Sequence, residues 1–144
     1  MKESELMSDI NSIDLSRFRI QKAKDMIASA YRDMYAEDYA SANNRAYYCI
    51  FHAMRAVLAL DNEDYQKHSA VIARFSQKYI KTEIFPREYG KLITNASLIR
   101  NRSDYEDFYL CTLGDTQKLL NDAEIFLLDI TDYLDKEYKR KLDR

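Results

Sequence analysis

Turn-forming residues are almost missing from this chain of 144 residues, which has 2 glycines and 1 proline. A glycine-rich phosphate loop, a Gly-x-Ser-x-Gly nucleophile elbow and a turn-dense β architecture all need more, so none is available. Cysteine occurs twice, as Cys49 and Cys111, without the paired spacing of a disulfide framework or a zinc knuckle. Histidine also occurs twice, as His52 and His68, too few for the four ligands of a structural zinc or the three of a catalytic one without carboxylates. No metal or other cofactor is therefore expected. No run of about 18 apolar residues is present, and the first residues carry charge where a signal peptide needs an apolar core. The expectation is no membrane segment and a cytoplasmic location. A net charge of −2 gives no overall positive field, so any contact with nucleic acid has to be local.

What the chain does have is helix-forming material: 47% hydrophobic and 32% charged residues with few breakers. The fold class read from this is all-α, an antiparallel up-and-down bundle of four long helices plus a shorter covering helix. Residues 1–14 have weak periodicity and are expected as a flexible or loosely docked N-terminal arm; residues 15–144 form a single domain by length.

The organising stretch is Arg45–Leu58. Ala46, Tyr47, Ile50, Phe51, Ala53, Met54, Val57 and Leu58 cover more than half of a helical cylinder, which marks a helix buried on most of its circumference. The remaining row is polar: Arg45, Tyr48, His52 and Arg55, at steps of three and four, share one side. Charges in that setting need partners, because an unpaired buried charge costs several kcal/mol, by rough estimate.

The other helices follow from periodicity and caps. Ser16 is the expected cap of the first, with Ile20, Ala23, Ile27, Ala30, Tyr31 and Met34 inward; Arg17, Lys22, Lys24 and Asp25 read as a solvated face of mixed sign. The central helix starts after Glu37-Asp38 and ends near Leu60. Ser69 is the expected cap of a short third helix with Val71, Ile72, Phe75 and Tyr79 inward. Pro86 fits the first turn of a fourth, whose apolar face is Tyr89, Leu92, Ile93, Ala96 and Ile99. Arg100 falls at the border of that face, after which the helix is expected to unravel through Asn101–Asp104. Thr112 then caps the last helix, whose seam is Leu113, Thr116, Leu120, Ala123, Leu127, Ile130 and Leu134.

The segment Arg100-Asn101-Arg102-Ser103-Asp104-Tyr105 carries the chemistry. A guanidinium at the edge of a buried face, with an asparagine beside it, can hold a phosphate through its planar fork of donors. A helical Arg100–Asp104 pair that seals the helix end is the simpler alternative.

From about Ile20 to Leu134 the chain resembles a HEPN domain, the small helical family often encoded beside minimal nucleotidyltransferases. The resemblance lies in Asn44–Ala53, in His68-Ser69-Ala70-Val71-Ile72 and in the Arg100 segment ending in Asp104-Tyr105. It implies a homodimer with the arginine motif in a cleft between subunits. Active members are metal-independent ribonucleases that use an arginine, a polar residue directly after it and a histidine four to six residues on. Arg100 and Asn101 match. The histidine does not, since Tyr105, Glu106 and Asp107 stand where it would fall, and neither phenol nor carboxylate titrates near neutral pH.

The resulting reading leans away from an enzyme. It is a non-catalytic or weakly active HEPN-type module of a toxin–antitoxin-like pair, which binds a partner nucleotidyltransferase through a dimeric cleft bearing Arg45, Tyr48, His52, Arg55, Arg100, Asp104 and Tyr105. In the family such partners can adenylylate a tyrosine, which makes Tyr105 or Tyr109 the acceptor here. The alternatives are a metal-independent ribonuclease toxin using Arg100 and Asn101 with Tyr105, Asp104 or His52, and a module that binds a mononucleotide.

Overall fold

The computed structural model describes residues 2–143. Five α-helices follow one another: α1 (Glu3–Tyr35), α2 (Tyr39–Leu60), α3 (His68–Phe75), α4 (Glu88–Tyr105) and α5 (Leu113–Leu142), with a π-helical turn, Ser76–Ile80, prolonging α3. No strand occurs among the described residues, and none of their helices is long and apolar enough to cross a membrane.

Side-chain bonds fix the helix directions. Ser12 donates to Asn62 Oδ1 (2.6 Å) and Ser16 to the Ala56 carbonyl (2.7 Å), so α1 and α2 run antiparallel. Asn43 to Ser103 and Arg100 to Tyr48 set α4 antiparallel to α2. Ser16 with Tyr138 and Tyr31 with Glu124 do the same for α5 against α1. The result is the expected up-down-up-down bundle, with α3 and its π-turn as the cover.

α2 is the hub, in contact with α1, α3, α4 and α5. Its Tyr47, Ile50, Phe51, Met54, Val57 and Leu58 are all buried. Each large apolar side chain so buried contributes about 1.5–3 kcal/mol. Ala46, Ala53 and Ala56 on α2, with Ala23 and Ala30 on α1, are fully buried, and such small side chains permit close helix approach.

Several local expectations are corrected. Residues 3–14 are no loose arm but the first turns of α1, where Ser12 and Ile13 are buried and Ser12 bonds Asn62. Ser16 is not a cap but an interior residue, fully buried, whose hydroxyl bridges the Ala56 carbonyl and the Tyr138 hydroxyl. α3 begins at His68, with Lys67 rather than Ser69 at its N-cap and no side-chain cap bond. Pro86 lies just ahead of α4, where its carbonyl accepts from Tyr89 N–H. α4 does not unravel after Arg100 but continues to Tyr105, because Ser103 and Asp104 are tied to α2 by Asn43 and Asn44. On α5 the seam is buried except for Leu113, which is exposed, and Leu119, Phe126 and Tyr138 join it. Thr112 does cap that helix, accepting from Asp115 N–H.

Scarcity of glycine shows at the helix ends. Glu37, Asn62 and Glu83 adopt φ of 63°, 59° and 63°, the left-handed region that ordinarily falls to glycine. At the end of α1 the Asp38 N–H reaches the Asp33 carbonyl, and at the end of α2 the Glu63 N–H reaches Leu58, so the backbone closes each helix without glycine.

Two stability outcomes follow. Ser16→Ala leaves the buried Tyr138 hydroxyl short of a partner and should cost about 1–3 kcal/mol in urea melts, whereas Ser16→Ala with Tyr138→Phe should recover much of the loss. Glu37→Gly should stabilise by about 0.5–1 kcal/mol, since the strain of a left-handed glutamate is removed.

Candidate functional site

Arg100 is the focus of the polar cluster between α2 and α4. Its Nη2 donates to the Tyr48 hydroxyl (3.0 Å), its Nη1 to Asn101 Oδ1 (3.1 Å), and its Nε lies 3.2 Å from Asp104 Oδ2 as an ion pair. The guanidinium also lies over three tyrosine rings, 5.4 Å from those of Tyr47 and Tyr48 and 5.7 Å from that of Tyr105. Such contacts hold a cation in a fixed pose without neutralising it. The helical Arg100–Asp104 pair is thus present, as one contact among several.

Arg45 is joined to this cluster indirectly. It donates to Asn44 Oδ1 (2.8 Å), and Asn44 Nδ2 donates to Asp104 (2.8 Å), the carboxylate that Arg100 also faces. Beneath them the buried Asn43 donates to Ser103 Oγ (3.0 Å), which also accepts from Cys111. Cys49 is buried in the core, which pushes its thiol up to about 12 and leaves it chemically inert.

Above the tyrosines lies an open cleft of ≈ 440 Å³. Its polar lining is Tyr48, His68, Ser69, Ser97, Arg100 and Asn101. His68 opens α3, and the stack of its imidazole on Phe51 at 4.1 Å holds the ring in place. Its Nδ1 is 2.9 Å from the Tyr47 hydroxyl. In the tautomer that donates from Nδ1 to Tyr47, the opposite nitrogen Nε2 is a free base. Burial, then the charges of Arg100 and Arg55, push the His68 pKa below its ordinary value, so the ring is neutral near neutral pH. Tyr47 itself is pushed up to about 12 by burial and stays a phenol.

The rest of the polar row diverges. Arg55 turns to Asp64 (2.7 Å), a carboxylate it shares with Arg19 of α1 (3.2 Å). His52 sits between, its Nδ1 buried and without a hydrogen-bond partner among the described residues. Burial, then Lys22, Arg55 and Arg19, push it down to about 4. The ring is thus neutral near neutral pH, and His52 is not among the residues that line the cleft beside Arg100. Tyr105 is largely exposed at the end of α4, and Tyr109 lies half-buried in the loop that follows.

A family model described as HEPN domain matches residues 16–135, nearly the whole bundle including every residue of the cleft. The chain belongs to the HEPN domain family. Among similar proteins, "Putative toxin MJ0142" of Methanocaldococcus jannaschii is 29% identical over 115 residues, 80% of this chain and 78% of its own. "Putative toxin MJ0605" of the same organism is 32% identical over 89 residues, 62% of this chain and 66% of its own. A "UPF0332 protein" of Thermotoga maritima is 28% identical over 120 residues, 83% of this chain and 90% of its own.

Within this HEPN cleft the decisive difference from the sequence reading is His68. No spacing rule on α4 could find it, because α3 brings it in from elsewhere in the chain. The one available signal was its place in the His68–Ile72 motif.

The pH response of stability follows from His52. Unfolded, it takes a proton near 6.5; folded, only near 4. Between those values the unfolded chain binds the extra proton, so stability falls as pH drops through that window. His52→Gln should flatten the slope measured by urea melts, with a residual slope of the same sign from His68.

Proposed function

We propose that this chain is a toxin-like HEPN module whose Arg100 cleft cleaves RNA without a metal ion, with His68 in the role that the missing α4 histidine would have. The observation that carries the reading is the shared lining: Arg100, Asn101 and His68 face one open cleft over Tyr47 and Tyr48. Arg100 holds the non-bridging oxygens of a phosphodiester through the second N–H of each Nη, the first being given to Asn101 and Tyr48. His68 Nε2 takes the proton of the adjacent ribose 2′-hydroxyl, whose oxygen then attacks phosphorus. The P–O5′ bond breaks, the departing 5′ oxygen takes a proton from water, and the products are a 2′,3′-cyclic phosphate and a 5′-hydroxyl end. Asn101 orients Arg100, and Tyr47 serves as the acceptor for His68 Nδ1–H in the tautomer that leaves Nε2 basic.

The test is incubation of short RNA with the purified chain in EDTA. The reading expects cyclic-phosphate ends, loss of about two to four orders of magnitude in rate for Arg100→Ala and for His68→Ala, and no cut where the 2′-hydroxyl is replaced by hydrogen. Intact RNA across pH 5–9, with the chain folded by circular dichroism, ends it.

A second reading has its own observation. Tyr105, Phe108 and Leu110 are 71%, 100% and 77% exposed in and beside the loop that leaves α4, among Glu106 and Asp107. An apolar patch of that kind next to a cleft favours a protein cover. In this reading a homodimer presents the loop to a minimal nucleotidyltransferase, which silences the cleft and takes Tyr105 or Tyr109 as its adenylyl acceptor. Co-expression with the neighbouring gene product should give co-elution that Phe108→Ser abolishes; separate peaks at micromolar concentration end this reading. For the mononucleotide alternative the same cleft offers a phosphate site, and flat calorimetric traces with millimolar ATP remove it.

A further inference from the structure

The polar row of α2 continues past the Arg100 cleft into a second cationic cluster that the cleavage chemistry does not use. Arg19, on α1 and 7% exposed, donates to the Arg55 carbonyl and pairs with Asp64 at 3.2 Å; Arg55 pairs with the same carboxylate oxygen at 2.7 Å. Lys22, one turn along α1 from Arg19, is exposed, and its ammonium lies 5.1 Å from the Phe18 ring. Two guanidinium groups therefore share one carboxylate oxygen, on a residue itself 54% exposed, and the Lys22 ammonium adds a third positive charge close enough to act on His52. The cluster is also short of an acceptor: among the described residues Arg55 Nε is buried without a hydrogen-bond partner.

Such an excess is unusual in a protein of net charge −2. Buried guanidinium groups are normally matched by carboxylates, and two on one oxygen are left underpaired. A phosphate group supplies several acceptor oxygens in the geometry that guanidinium prefers. Burial, and after it the nearby charge of Arg55, lowers the Arg19 pKa from its ordinary value.

Position gives the ligand its form. Tyr48, which touches Arg100, and Arg55 are seven residues apart on α2, so the two cationic centres are about 10 Å apart along the helix axis. His52 and His68 lie between them, and Phe18, 59% exposed, stands at the far side. A line of cations that ends beside an exposed ring, Phe18, suits a single nucleic-acid strand, whose phosphates follow the charges and one of whose bases stacks on the ring.

We infer that Arg19, Lys22 and Arg55 form a second phosphate site for single-stranded RNA, with Phe18 as a stacking surface, so that a strand held in the Arg100 cleft runs on along α2 toward α1. This rests on the RNA reading of the cleft. The site extends the grip on the strand and takes no part in bond breaking. It fixes a preference for substrates longer than a dinucleotide.

The experiment separates the two claims. Fluorescence anisotropy with a labelled 2′-O-methyl octanucleotide measures binding where cleavage is impossible, and turnover of a ribodinucleotide measures the cleft alone. Lys22→Glu and Phe18→Ala, both on exposed positions, and Arg55→Ala, checked for folding by thermal melt, should each weaken octanucleotide binding by about tenfold. The two charge variants should also lower the slope of log affinity against log salt by about one or more. Dinucleotide turnover of Lys22→Glu and Phe18→Ala should stay within twofold of the parent chain. If Arg100→Ala weakens octanucleotide binding while the three variants leave both affinity and salt slope unchanged, the second site is overturned and the cleavage reading stands. If no turnover occurs but the three variants still weaken binding, cleavage fails and the second site stands. If poly-glutamate binds with the same dependence on Arg55 and the octanucleotide does not, the cluster is a dock for an acidic protein and the inference is overturned.

Discussion

The near-complete burial of α2 governs everything else in this protein. A helix packed by α1, α3, α4 and α5 has room for polar side chains on one narrow strip, so every charge it carries must be met by a neighbour. Tyr48 is met by Arg100 of α4, and Arg45 by Asn44, which in turn bonds Asp104 of α4; Arg55 is met by Asp64 of the loop after α2. The strip thus organises both polar centres, and the apolar remainder of the helix fixes their spacing.

Surrounding ties make the first of these centres rigid. Asn43 and Asn44, in the first turns of α2, grip Ser103 and Asp104 in the last turn of α4, so the backbone on either side of Arg100 is anchored to the hub. The π-turn that prolongs α3 contributes from the other side: Tyr79 donates to Asp61 (2.5 Å), while Lys78 reaches both Asp61 and Glu63. Glu63, bonded by Arg74, Tyr65 and Lys78, is pushed down to about 2 and stays charged. These bonds pin the loop that leads into His68, so the imidazole and the guanidinium are carried by elements locked to a common support. Precise placement of this kind is what cleft chemistry requires.

Much of this arrangement was legible in the sequence, for identifiable reasons. α2 and α5 announce themselves because apolar periodicity is their dominant feature, and the polar row follows from the same periodicity by subtraction. α1 was misjudged over residues 3–14 because its anchors there are few: Ser12, bonded to Asn62, is polar and carries no hydrophobic signal. The last turn of α4 was missed for the same reason, since Ser103 and Asp104 are held by α2 asparagines rather than by apolar contact. His68 was visible as part of a motif but not as a neighbour of Arg100, because the turn that swings α3 over the tyrosines leaves no periodic trace. The split of the polar row depends on Asp64, a loop carboxylate whose position no local pattern encodes.

The hydroxyl contact between Ser16 and Tyr138 spans 122 positions of sequence. During synthesis Ser16 can therefore meet the Ala56 carbonyl once α2 has emerged, while its second partner, Tyr138, arrives only with α5. Contacts among α2, α3 and α4 are nearer neighbours in the chain and can form sooner. The ties that hold the cleft together thus lie closer along the chain than the one by which α5 locks onto α1.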